Sequence, residues 1–218
     1  MAIDVFLKLM KTDGSTVQGE SRDKVCKGLI ELEEFSMEAL KSLTADLQDQ
    51  ELQFQRLYQS TGISRVGNLW EGEVAELDDE PQTSGDSFSF SIKKDVDTSS
   101  GELFLNYCQT ATKKEKVAFK KAVFYFRKAG AWESTLAKGG TVNPSTASFL
   151  MIEFTKPYVY KYTVEVSGNE SSVPTESVDF YFENYQVTYK EQSYAGALKS
   201  SANIKGWNLR DGNDQFDG

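Results

Sequence analysis

The stretch that most restricts this chain runs from Pro174 to Lys190: Pro-Thr-Glu-Ser-Val-Asp-Phe-Tyr-Phe-Glu-Asn-Tyr-Gln-Val-Thr-Tyr-Lys. Val178, Phe180 and Phe182 alternate with polar or amphipathic neighbours, the period-2 pattern of a half-buried strand. After Phe182 the phase changes, and the apolar set becomes Tyr185, Val187 and Tyr189. A one-residue slip turns every side chain to the other face. A β-bulge or sharp bend near Glu183-Asn184 reconciles the two halves, and a strand long enough to need one belongs to a curled sheet or barrel. Just before it, Tyr158, Tyr160, Tyr162, Val164 and Val166 alternate without a break. The intervening Ser167–Ser172 has loop composition, and Pro174 blocks early ladder pairing. The two stretches predict a long antiparallel hairpin. Seven of the ten tyrosines lie between Tyr158 and Tyr194. Such rings suit a barrel wall with one wet face, or a strand face that packs on another subunit.

The earlier chain supplies further strands. Ile3, Val5, Leu7 and Leu9 alternate over Ile3–Met10, Thr12–Asp23 is loop-like, and Leu29–Phe35 is a second strand candidate. From Ser36 to Tyr58 the period changes. Leu40, Leu43, Leu47, Phe54 and Leu57 form a helical stripe with Ser36 as its N-cap, lying on its own domain or against a neighbouring subunit. Thr61–Ser87 is acidic and turn-rich, the composition of a solvated loop. Phe88, Phe90 and Ile92 restart a strand, and a short helix follows Asp97-Thr98-Ser99-Ser100 and ends before Lys113. Lys121–Lys128 has Ala122, Phe124 and Phe126 on one side and Val123 and Tyr125 on the other, so it is a strand covered twice. Leu150, Ile152 and Phe154 make the next strand, with Pro157 bending it. The stretch after Ala195 reads as a polar tail anchored by Trp207 and Leu209. The expected architecture is therefore mainly β: an antiparallel β-barrel with one short flanking helix. It is a single domain over residues 1–218, with an inserted helical and acidic segment at about 38–87 and a polar tail from about 196.

Composition excludes several functions. The net charge of −9 argues against nucleic acid or an anionic membrane as the main partner, since both require clustered cations. The run Lys113, Lys114, Lys116, Lys120, Lys121 fits a solvated loop and strand start. No segment approaches the length of an apolar membrane span, and Met1–Leu9 lacks the pattern of a secretory signal. Two cysteines, Cys26 and Cys108, are too few for a disulfide framework and read as buried thiols. The chain has no histidine, which removes the common nucleophile–base pairs and paired-His zinc motifs. Lys138-Gly139-Gly140-Thr141 lacks the spacing of a phosphate loop, and Asp211–Asp217 lacks that of a calcium loop. No carboxylate pair stands out. No catalytic residue, cofactor-binding residue or metal ligand is therefore assigned, and no cofactor is expected.

The order of these features resembles the Hcp family, the haemolysin-coregulated tube proteins of type VI secretion systems. The resemblance rests on Met1–Leu9 and on Phe88–Ser100 followed by Leu103-Phe104-Leu105. It rests also on Val123–Gly130, on Pro174–Lys190 and on Gly206-Trp207. It covers roughly residues 1–36 and 88–210; between about Glu38 and Ser87 the chain departs from the pattern. The resemblance implies a β-barrel with a flanking helix that assembles as a homo-hexameric ring. It implies stacked rings forming a hollow tube, with a contractile sheath and spike-tip proteins as partners. It implies assembly in the cytoplasm and export without a signal peptide. The other reading of the residues is a monomeric β-barrel module that uses the Tyr-rich face to bind carbohydrate or peptide. A third reading is a ring whose lumen also chaperones small effectors.

Overall fold

A computed structural model describes residues 3–40, 87–113, 116–128, 142–166, 173–192, 198–209 and 214. The chain divides into two compact units, Met1–Glu38 with Ser89–Gly218, and Ala39–Phe88. The first unit carries the architecture below; of the second, only the ends of two strands are described.

The strands are β1 (Ile3–Met10), β2 (Ile30–Leu32), β3 (Glu34–Leu40), β4 (Ser87–Asp95), β5 (Lys121–Lys128), β6 (Leu150–Thr155), β7 (Tyr158–Glu165), β8 (Thr175–Tyr181), β9 (Asn184–Gln192) and β10 (Leu198–Asn208). Helix α1 (Ser100–Thr112) follows β4, and a single turn, α2 (Pro144–Ala147), precedes β6. A reciprocal capping box between Asn143 and Thr146 holds α2. The sheets run β10-β9-β6-β5-β1-β2 and β3-β4-β8-β7.

The predicted bend is where one sheet becomes the other. β8 ends at Tyr181 and β9 begins at Asn184, with Phe182-Glu183 between them. β8 pairs with β7, and β9 pairs with β6. The hairpin is thus one ribbon that starts in the four-stranded sheet and finishes in the six-stranded one. The Tyr158–Val166 stretch partners only the first half, Thr175–Tyr181; Leu150–Thr155 partners the second. The other ribbon strand turns at Lys156-Pro157, where Lys156 sits at φ 48. A third corner lies at Glu33, between β2 and β3. Strands that switch sheets are how two packed sheets make corners.

This also corrects the barrel. The antiparallel, mainly-β expectation holds, but among the described residues the ladders form two open sheets. Pairing lapses where the strands turn, between β2 and β3, β6 and β7, and β8 and β9.

The core between the sheets is built of phenylalanines. Phe90 from β4 stacks on Phe154 at 4.4 Å and Phe180 at 4.7 Å, and meets Phe124 edge-on at 5.2 Å. Phe35 reaches Phe124 at 4.5 Å. Each such pair adds about 0.5–1.5 kcal/mol beyond its buried area. The pull on Phe35 explains a second correction: Ser36 is not a helix N-cap but lies inside β3, because Phe35 is drawn into this cluster and continues the strand. The rest of the predicted helical stripe and the acidic run up to residue 86 lie outside the described residues.

The far face of β5 is covered as expected. The segment from Val17 to Leu29 folds over it, and Cys26 and Leu29 pack with Phe6, Val123 and Tyr125. Gly19 permits this, since a Cβ there would stand 2.3 Å from the Leu29 carbonyl oxygen. A third correction concerns the C-terminal stretch. Leu198–Asn208 is an edge strand, and Trp207 is not an anchor but 42% exposed.

Candidate assembly surface

Two buried charged clusters are the first places to look for chemistry. Lys94, on the inner face of β4, and Glu176, its register partner on β8, are both fully buried. Lys94 Nζ donates to Glu176 Oε1 at 2.7 Å, to Asp97 Oδ1 at 2.6 Å and to the Asp95 carbonyl at 2.8 Å. Ser100 Oγ and the Tyr162 hydroxyl also donate to Glu176. Burial, then the bond to Glu176, raises the Tyr162 phenol well above its ordinary value. Burial pushes the Asp97 carboxyl up, but the bonds from Lys94 and Ser99 outweigh it and hold the group below its ordinary value. The second cluster pairs Arg127 with Asp23 at 2.8 and 2.7 Å, and with Asp4 at 3.3 Å. The Arg127 guanidinium holds the Asp23 carboxyl down to about 2.

Both arrangements read as latches. In the first, Lys94 and Glu176 fasten the start of α1 to the four-stranded sheet; Leu103 then inserts, and Asn106 Oδ1 accepts from the Val159 amide at 3.0 Å. In the second, Asp23 also accepts from the amides of Val25 and Cys26, so one carboxylate closes the covering loop and ties it to β5. In both latches, each buried charge is engaged by an opposite charge of the same chain. Among the described residues, no group of three or more His, Cys, Asp or Glu could hold a metal ion. Cys26 is a buried free thiol, pushed up to about 12 by its burial, and Cys108 is free and half-buried. Of the basic run, Lys121 pairs with Glu153 at 2.7 Å and Lys116 lies over the Tyr158 ring at 4.7 Å. Among the described residues, no helix is long and apolar enough to cross a membrane.

What the fold presents outward is edges. β10 and β2 terminate the six-stranded sheet, and β7 and β3 the other. The register carries straight rows across all six strands: Glu31, Phe6, Tyr125, Met151, Thr188 and Ile204 form one. Parallel to it run Ile30, Leu7, Phe124, Ile152, Val187 and Lys205. The second row is core at the β1 end but ends at the exposed Lys205. Along β9 and β10, Tyr189, Ile204 and Trp207 are exposed. Exposed apolar side chains also lie at Phe104 and Leu105 of α1, at Val164 in β7 and at Val166 just past its end. On the outer face of the four-stranded sheet, Tyr160 stacks on Tyr181 at 4.0 Å, with Tyr158 5.8 Å from the same ring. Tyr160 is the extra residue of a register shift between Val159 and Lys161.

The sequence located the Tyr-rich strands but missed β10, whose polar composition hid a strand that needs only one sheltered side. It also assigned no role to Lys94, Glu176, Arg127 or Asp23. For Lys94, Glu176 and Arg127, a charged residue in phase with the buried positions of an alternating strand was the available signal; Asp23, in a loop, had none.

No protein-family model matches the chain, and no curated protein matches it. Solved structures do match. A type six secretion system protein is 18% identical with a TM-score of 0.62, covering 98% of this chain and 100% of its own. Hcp1 from Salmonella typhimurium is 18% identical at a TM-score of 0.55, covering 99% and 100%. A type VI secretion system effector from Yersinia pestis is 17% identical at 0.52, covering 94% and 99%. At these identities the likeness is one of fold, and the fold is that of the Hcp proteins.

Proposed function

We propose that this chain is a structural tube subunit of a type VI secretion system. Copies assemble as a hexameric ring, and rings stack into a hollow tube that a contractile sheath and spike-tip proteins deliver and that carries small effectors in its lumen. The observation that carries this reading is the end-to-end match to the structures of Hcp1 and of a type six secretion system protein, with the whole of each matched chain covered. The two-ended six-stranded sheet supports it independently. Its borders differ from each other, and unlike borders make a heterologous contact that closes into a ring when the rotation is right. Function then lies in shape, summed over repeated contacts, and catalysis has no part in it. The protein leaves the cell with the tube.

A second reading is favoured by the Tyr158–Tyr160–Tyr181 group: a monomer that binds carbohydrate or peptide on that face. Electron microscopy of the purified protein separates the two. Six-fold rings, and stacks of them at high concentration, support the tube subunit. A dispersed monomer that binds a glycan or peptide array through these tyrosines supports the binder.

A further inference from the structure

We infer that the ring contact joins the β10 edge of one copy to the β2–β3 edge of the next, an inference that rests on the ring reading above. β10 and β2 are the two opposite borders of the six-stranded sheet, β3 follows β2 at a border of the other sheet, and the two edges carry opposite chemistry. Along β2 and β3, Glu31, Glu33, Glu34 and Glu38 are exposed and make no ion pair among the described residues. Met37 stands exposed among them at 47%. Along β10 the exposed charged and large apolar side chains are Lys199, Lys205, Ile204 and Trp207. Lys199 pairs with Glu191 of its own chain at 2.6 Å, so Lys205, exposed and without an ion pair among the described residues, is the cation this edge offers a partner.

A contact of the β2–β3 edge with itself would bring two sets of four carboxylates together in a chain that already carries −9. A contact of β10 with itself would oppose lysines. Only the unlike pairing matches charge with charge, and complementary potentials of this kind fix partner and register; exposed Met37 on one edge, and Ile204 and Trp207 on opposite faces of the other, add apolar surface to the contact. Edge strands also offer backbone N–H and C=O groups to an incoming copy. Because the paired edges differ, the contact runs in one direction around the ring, and each copy contributes one edge of each kind.

The test uses the full-length protein and two double variants, Ile204→Glu/Lys205→Glu and Glu31→Lys/Glu34→Lys, read by mass photometry and light scattering. Each alone should lose the hexamer, with hexamer abundance at fixed concentration falling roughly ten-fold or more because several weakened contacts act together. Their circular dichroism and urea midpoints should match the parent, since all four side chains are exposed. Mixed one to one, they should recover the hexamer, because every contact again pairs unlike charges. Should a double variant unfold, Lys205→Glu and Glu34→Lys alone carry the same test. Variants that stay hexameric, or a mixture that fails to recover, overturn this edge pairing and leave the ring reading standing. A parent protein that remains at 24.4 kDa overturns the ring reading itself.

Discussion

At the scale of single residues, the two buried ion clusters govern stability. Lys94 and Glu176 are both cut off from solvent, so losing Glu176 leaves Lys94 with Asp97 as its counter-charge, and losing Lys94 leaves the buried Glu176 carboxylate with only the Ser100 and Tyr162 hydroxyls. Glu176→Gln or Lys94→Met should each cost about 3–5 kcal/mol, as for other buried pairs broken on one side. The double exchange Lys94→Met/Glu176→Gln should cost clearly less than the sum, and a double-mutant cycle by urea unfolding reads the coupling. Asp23 makes a pH-dependent contribution. Its folded pKa of about 2 lies below the ordinary 3.8, so folding favours the deprotonated form. That stability is fully present above roughly pH 4 and is lost as pH falls through about 2. Asp23→Asn removes it, so urea midpoints of parent and variant should differ most at neutral pH and converge towards pH 2. Cys26 is buried, with its thiol pushed up to about 12. At neutral pH an alkylating reagent should therefore leave it unmodified until the protein unfolds; modification at the rate of an exposed thiol would show that the covering segment opens.

At the scale of elements, the covering segment and the corners hold the architecture together. Gly19 lies against the Leu29–Ile30 backbone. Gly19→Ala should cost on the order of 1–3 kcal/mol, the range for a forced overpacking, and should speed alkylation of Cys26. A variant as stable as the parent would show that the segment does not press on β2. These elements were unequally legible from the sequence. Lys121–Lys128 was read with its bounds, because apolar residues on both faces leave few alternatives. The bend after Phe182 was visible as a phase change, but not its consequence, since which strand pairs with which half is a long-range matter. Ser36–Leu40 misled because leucine and methionine spaced in a polar stretch also fit a helix; the phenylalanine cluster around Phe90 decides otherwise. β10 was hidden because an edge strand can be polar nearly throughout. The latches escaped because a buried lysine looks like any lysine until its partner is located.

At the scale of the whole molecule, the unit made of Met1–Glu38 and Ser89–Gly218 contains the core, both latches and both proposed contact edges. We propose that the segment between β3 and β4 is an insertion that modulates stacking. Replacing residues 41–86 by a short Gly-Ser linker should leave folding and the ring intact while changing how rings stack, as judged by urea unfolding and electron microscopy. Loss of folding would show that the segment is part of the core structure. The central claim is that this protein acts by closing upon copies of itself, and the mass of the purified full-length protein in solution tests it most directly. Mass photometry should find a dominant species at six times 24.4 kDa, whereas a protein that stays at 24.4 kDa across working concentrations would contradict the claim.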